Sequence, residues 1–224
     1  MLGRILFLVV LCSSCRSSSS SSDGAVDGAA DARPKIVRPR VIGSGELPLD
    51  IAQSKLHLVI VKDHVTPVPA TLSMRDGALA LDAAQPKAHL SVDLDTFDSE
   101  IAIRNERVRN ILFETSAIGW ESAELAFELP PDLVAKLRSD KKISGAKLEG
   151  SLKVHGTTSK LPVTVDAGYD GAKVWVKSAG PVEVKVSDLG LTDNLHRLNA
   201  ICMHDGIDDV VKVDVSLVFQ PGGH

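Results

Sequence analysis

The stretch Val211-Lys212-Val213-Asp214-Val215-Ser216-Leu217-Val218-Phe219 decides the architecture. Val211, Val213, Val215, Leu217 and Phe219 share one parity, and Lys212, Asp214, Ser216 and Val218 share the other. Side chains of a strand alternate between its faces, so this is a strand with one dry face and one wet face. The same period recurs upstream. Leu90, Val92 and Leu94 alternate with Ser91, Asp93 and Asp95, and Leu148, Leu152 and Val154 form a row that includes Gly150. Leu161, Val163, Val165 and Ala167 make another row, and Val182, Val184 and Val186 alternate with Glu183 and Lys185. Asp76-Gly77, His155-Gly156, Asp170-Gly171, Ala179-Gly180-Pro181 and Asp205-Gly206 have turn chemistry and are expected to separate strands. Short half-wet strands joined by turns predict an all-β antiparallel sandwich or closed barrel. No continuous apolar strand or βαβ rhythm supports a parallel sheet.

Two stretches depart from period two. Glu100 to Glu114 places Ile101, Val108, Ile111 and Leu112 near one helical face, with Asp98 or Ser99 as the expected cap. Pro131 to Leu137 predicts a short helix entered through proline.

The N-terminus has different chemistry. Arg4 precedes an uninterrupted apolar run from Ile5 to Leu11, too short to span a bilayer and of the length of a signal-peptide core. Ser13-Ser14-Cys15 follows and resembles a bacterial lipobox with Cys15 as the lipidated residue, although Cys12 stands where that pattern has leucine. The competing reading is a simple secretory leader, cut nearby or at Ala25. Residues 16–46 carry six consecutive serines and then a Gly/Pro-rich stretch, too poor in large apolar residues to repay ordering. The expected organisation is a leader with lipobox over 1–15, a flexible tether over 16–46 and one folded domain over 47–220. Export to the periplasm or cell envelope follows from the leader. Arg16 after the cysteine is not the aspartate associated with inner-membrane retention, which favours the outer membrane. With Cys12 lost and Cys15 lipidated, Cys202 stands alone, so stability must come from a packed core.

Composition narrows the function classes. The 224 residues are 44% hydrophobic and 24% charged, which excludes collagen-like, disulfide-dense and wholly disordered chains. A formal charge of -4 with no basic motif speaks against nucleic acid as a partner. No phosphate loop, HExxH, paired CxxC or GxSxG elbow occurs, and no cofactor is expected. Cys202, Met203 and His204, with His196 upstream, are the nearest approach to a metal site but lack paired ligand spacing. Hydrolysis through Cys202 and His204 is a remote reading, and the chain is expected not to be an enzyme. His57 and His64 would fall on opposite faces of a regular first strand. Asp93 with Asp95, and Asp208 with Asp209, fit a solvated strand face or turn better than acid–base chemistry.

Three segments together resemble the YceI-like family of exported bacterial proteins. Ser54 to His64 is similar to the family's opening strand, and Arg104 to Glu114 resembles its R-D-x-H-L-R-S-x-D-F-F segment, keeping Arg104, Arg109 and Phe113. Gly150-Ser151-Leu152-Lys153-Val154-His155-Gly156-Thr157-Thr158 resembles its G-x-L-x-L-H-G-x-T signature. The likeness covers about residues 48 to 220. It implies a lipocalin-like closed barrel of about eight strands with a short helical insertion, binding a polyisoprenoid lipid.

An eight-stranded barrel is just wide enough to be filled by side chains or to hold one slim ligand. The dry rows are Val- and Leu-rich and poor in aromatics, which favours room inside. The expected ligand-contacting residues are Leu90, Val92, Leu94, Leu152, Val154, Val163, Val165, Val213 and Val215 along the interior. Arg104 and Arg109 are expected to meet a polar head at the mouth, with Phe113 as an apolar wall. Their competing reading is an exposed helix face beside Glu100 and Glu106. Two functions stand: a noncatalytic carrier of a long isoprenoid-like lipid, lipid-anchored to a membrane, or a ligand-free structural or interaction lipoprotein of the envelope. A homodimer is compatible with either.

Overall fold

The computed structural model describes residues 45–202 and 206–221. Cys15 with its leader, nearly all of the expected tether, Met203, His204 and Asp205 lie outside the described residues.

The alternating rows form ten strands: β1 (Glu46–Pro48), β2 (Lys55–Lys62), β3 (Thr66–Ala80), β4 (Lys87–Asp98), β5 (Ser122–Glu128), β6 (Lys142–Val154), β7 (Thr157–Tyr169), β8 (Val174–Ser178), β9 (Val182–Lys185) and β10 (Val210–Phe219). They pair antiparallel in the order β1-β3-β2-β10-β8-β7-β6-β5-β4, and pairing of β3 with β4 closes the ring. β1 and β2 lie on the same flank of β3, and β8 and β9 on the same flank of β10. Ten segments therefore occupy eight positions, which is the closed barrel expected. All the ladders that close it lie between Glu46 and Phe219. Residues 39–224 form a compact unit on their own and contain the complete barrel.

The helices are α1 (Ala102–Arg107), continuing into a π-helical turn at Val108–Leu112, α2 (Pro131–Asp140) and α3 (Thr192–Cys202). α2 starts at its proline, as expected, and buries Val134 and Leu137. α1 is shorter than expected, and Ile101 is exposed, not on the apolar face. Neither Asp98 nor Ser99 caps it. Both instead hold buried Asn105: its Oδ1 accepts from the Ser99 N–H (2.8 Å) and hydroxyl (2.7 Å), and its Nδ2 donates to Asp98 (2.7 Å). α3 is an element that the period-two reading does not predict. Its signal was present, because Leu191, Leu195 and Leu198 recur at helical spacing and are all buried.

One expected turn does not separate strands, and another separates them without forming a hairpin. Asp76-Gly77 lies inside β3, beside a register shift between Met74 and Asp76. Gly77 is needed there because a Cβ would come within 2.8 Å of the Leu90 side chain. Ala179-Gly180-Pro181 interrupts one strand position, separating β8 from β9 along β10. His155-Gly156, both at positive φ, does form the β6–β7 hairpin turn. β2 ends at Lys62, so His64 belongs to a turn and pairs with Asp208 at 2.6 Å.

Candidate functional site

The dry rows of all eight positions converge on one interior cavity of about 270 Å³. Leu90, Val92 and Leu94 from β4, Leu152 and Val154 from β6, Val163 and Val165 from β7, and Val213 and Val215 from β10 line it. Phe113 lines it too, edge-on to Phe97 at 6.2 Å between ring centroids. Apart from Ser178 the wall is apolar side chains. Val163, Val165, Val213 and Val215 remain only half-buried although they point inward. In a solid core they would be fully covered.

Arg104 and Arg109 do not line the cavity. The Arg109 guanidinium donates to the Asp95 carbonyl at 3.1 Å, at the end of β4. Arg104 sits on α1, half-exposed. The aromatic content of the wall is also higher than expected: Phe97, Phe113, Phe127 and Phe219 all face inward. Phe127 was legible, since Ala123, Leu125 and Phe127 alternate along β5. Its ring fills the place that a side chain at Gly150 would take, where a Cβ would come within 2.3 Å. Phe97 was not legible. A register shift between β3 and β4 changes the parity after Leu94, and the residue becomes almost wholly buried.

Each barrel end carries helical structure. At one end α2 contributes Leu133, Val134 and Leu137 to the wall. At the other, Val108 and Leu112 of the π-helical turn and Leu191 before α3 do so. That second end is cross-braced. The Asn194 amide donates to the Leu112 carbonyl (3.0 Å), His155 bonds the Phe113 carbonyl, and the Trp120 ring stacks on His155 at 4.2 Å. Arg197 bonds Glu114 at 3.0 Å. Partial burial works to raise the Glu114 pKa, but hydrogen bonds from Arg197 and Asn194 outweigh it and hold the carboxyl below its usual range.

The closed eight-position barrel, its interior cavity and the His155-Gly156 hairpin are those implied by the resemblance, and the YceI-like domain model matches residues 48–219. The chain belongs to the YceI-like family. A solved polyisoprenoid-binding domain from Saccharophagus degradans, implicated in plant cell wall breakdown, aligns over 80% of this YceI-like chain and 99% of its own, at 22% identity and TM-score 0.67. BcnA of Burkholderia cenocepacia aligns over 76% of this chain and 98% of its own, at 19% identity and TM-score 0.55. At these identities the likeness establishes the fold. No curated protein matches the chain significantly.

Among the described residues no cluster of three His, Cys, Asp or Glu could hold a metal ion. Among the described residues that line the cavity, the polar side chain is that of Ser178, whose hydroxyl accepts the Val215 N–H at 3.1 Å. What the cavity can do is surround an apolar chain.

Proposed function

We propose that this YceI-like protein is a noncatalytic envelope lipoprotein that carries one long, isoprenoid-like lipid inside its barrel. The observation that carries the reading is the cavity wall: continuous, apolar and only half-covered at Val163, Val165, Val213 and Val215. Leaving such a space empty costs roughly 24 cal/mol per Å³, several kcal/mol here, which an apolar guest returns. Each CH₂ that the cavity takes from water gains about 0.8 kcal/mol, so the part of a long chain that enters it offsets association and ordering costs. The Saccharophagus degradans relative, a polyisoprenoid-binding domain, supports the choice of lipid class. Anchoring through Cys15, with export to the periplasm or cell envelope and the outer membrane favoured, is the part of the proposal that rests on the leader alone.

Native mass spectrometry of protein purified from its host should show a co-purified long-chain lipid. Val154→Trp combined with Val165→Trp should abolish uptake of a fluorescent isoprenoid while far-ultraviolet circular dichroism stays unchanged. If the wild type carries no lipid and shows no saturable uptake, the barrel is not a carrier. Fatty-acid labelling that disappears in Cys15→Ala tests the anchor separately, and an unlabelled wild type would remove it from the proposal.

A further inference from the structure

The two interrupted strand positions are paired differently. At the first, β1 pairs with β3 on one side, and Leu49 bridges Phe219 of β10 on the other. At the second, β8 pairs with both β7 and β10, but β9 pairs with β10 alone. The ring is closed at β8. Below it, no backbone hydrogen bond joins residues 157–163 of β7 to β9 among the described residues.

The sequence explains where the ladder stops. Val165 faces Ser178, and the Ala179 N–H donates to the Thr164 carbonyl at 2.9 Å. In an antiparallel pair every second residue bonds to a given neighbour. The next bonding position in this register is therefore Pro162 opposite Pro181, and neither has an N–H to give. Beyond the prolines β9 follows β10. The Val186 N–H donates to the Asp209 carbonyl at 2.9 Å, so the same alternation turns the backbone of Glu183 and Lys185 toward β7. Lys160 of β7 faces them across a seam without a ladder. Leu161, Val163, Val182 and Val184 flank the seam on the inside, and all four line the cavity. The register sets Gly180 opposite Val163, and a Cβ added there would meet no atom within 4 Å. The far end of the seam is shut by the 3-10 turn Ser187–Leu189 and by Gly190, where a Cβ would come within 3.1 Å of the Thr157 hydroxyl oxygen.

We infer that this seam is a lateral gate through which an apolar lipid chain enters and leaves the barrel. The inference rests on the carrier reading. Parting β6 from β7, or β7 from β8, would break ladder hydrogen bonds. Parting β7 from β9 breaks none and separates apolar side chains, whose contacts the passing chain replaces. Regions held by few hydrogen bonds are those that open locally. The barrel ends offer less. One is braced by the Asn194 amide on the Leu112 carbonyl and by Trp120 stacked on His155. At the other, α2 packs Val134 and Leu137 into the wall. A chain passing sideways also leaves its polar head in water, beside the exposed Lys160, Glu183 and Lys185.

The test closes the seam with a disulfide. Pro162→Cys and Pro181→Cys are placed in a full-length parent carrying Cys12→Ser, Cys15→Ser and Cys202→Ser, which leaves the two facing thiols alone. Both prolines are exposed, and neither lines the cavity. Stopped-flow fluorescence follows a fluorescent isoprenoid delivered from cyclodextrin. The oxidised variant should load and release about tenfold more slowly than the parent, as expected when a gating motion is blocked, and should bind the same amount at saturation. Arg138→Ala, which removes the tie between α2 and Asp82, should leave both rates unchanged. In the parent, amides of Glu183 and Lys185 should exchange with deuterium faster than those of Val182 and Val184, which face β10. Oxidised protein that loads as fast as the parent overturns the inference, as does faster loading in Arg138→Ala, which would put the entrance at α2. Equal protection of the four amides overturns it too, because the seam would then be bonded. Cysteines that fail to pair do the same, since the register that opposes them would be wrong. A parent that takes up no isoprenoid rejects the carrier reading and the gate with it, whereas uptake at equal rates rejects the gate alone.

Discussion

Gly150 and Phe127 show how much of the interior is set by single residues. The glycine leaves the space into which the facing Phe127 ring packs, so Gly150→Ala forces the ring or the strand to move. We expect a loss of about 1–3 kcal/mol in urea unfolding, as for other overpacked core sites, and a reshaped cavity read as altered isoprenoid uptake. Asp98 illustrates the electrostatic side. The Glu100 N–H donates to its carboxylate at 2.8 Å, and the Asn105 amide adds a second bond, so its pKa is lowered. A group whose folded pKa lies below its unfolded value stabilises the fold above the unfolded pKa. That stabilisation is lost as pH falls through the folded pKa. Asp98→Asn should therefore be less stable than wild type at neutral pH, and the difference should close below about pH 4. A constant difference down to pH 2 would show that hydrogen-bond geometry alone, not the charge, matters at this site.

At the scale of elements, the barrel contains two interrupted strand positions, and both border β10. Between β8 and β9 the Ser178 hydroxyl accepts the Val215 N–H; between β1 and β2 the Ser54 hydroxyl accepts the Val218 N–H at 3.1 Å and donates to the Asp50 carbonyl at 2.7 Å. Each serine supplies a partner that the broken ladder would otherwise leave missing, and an unpaired buried N–H is costly. Ser54→Ala should cost about 1–3 kcal/mol by this account, and hydrogen exchange at Val218 should accelerate in that variant while core amides of β6 and β7 stay slow. The π-helical turn after α1 is a second device of this scale. Its wider ring, closed by the Phe113 N–H on the Val108 carbonyl at 3.0 Å, turns Val108 and Leu112 inward.

For the whole molecule, closure is the organising fact: eight positions with no free edge enclose a space that is the common destination of every dry row. The parity of β10 can be tested directly. Leu217 is buried and faces the cavity, whereas Lys212 is exposed on the outer face. Leu217→Asp should destabilise by several kcal/mol because it places an unpaired charge in an apolar interior, and Lys212→Asp should stay within about 0.5 kcal/mol. A reversed ranking in thermal denaturation would mean that the two faces are exchanged.

The sequence by itself determined the strands β4, β6, β7, β9 and β10 with their dry faces, the antiparallel class and, through the His155-Gly156 hairpin segment, the family. These are local properties: period-two patterning and turn chemistry act within a few residues and can be read there. Sequence alone also placed Leu90, Val92, Leu94, Leu152, Val154, Val163, Val165, Val213 and Val215 on the faces that line the cavity. Tertiary structure alone decided what depends on distant partners. Gly77 and Ala179-Gly180-Pro181 have turn composition, yet neighbouring strands hold the first inside β3 and make the second a break along β10. Phe97 enters the core only because the β3–β4 register shifts beside it. Arg104 and Arg109, expected at the mouth, are absent from the cavity wall, where the π-helical turn gives the inward places to Val108 and Leu112. Whether the barrel closes on packed side chains or on open space is likewise a property of eight strand positions meeting, and no single strand carries it.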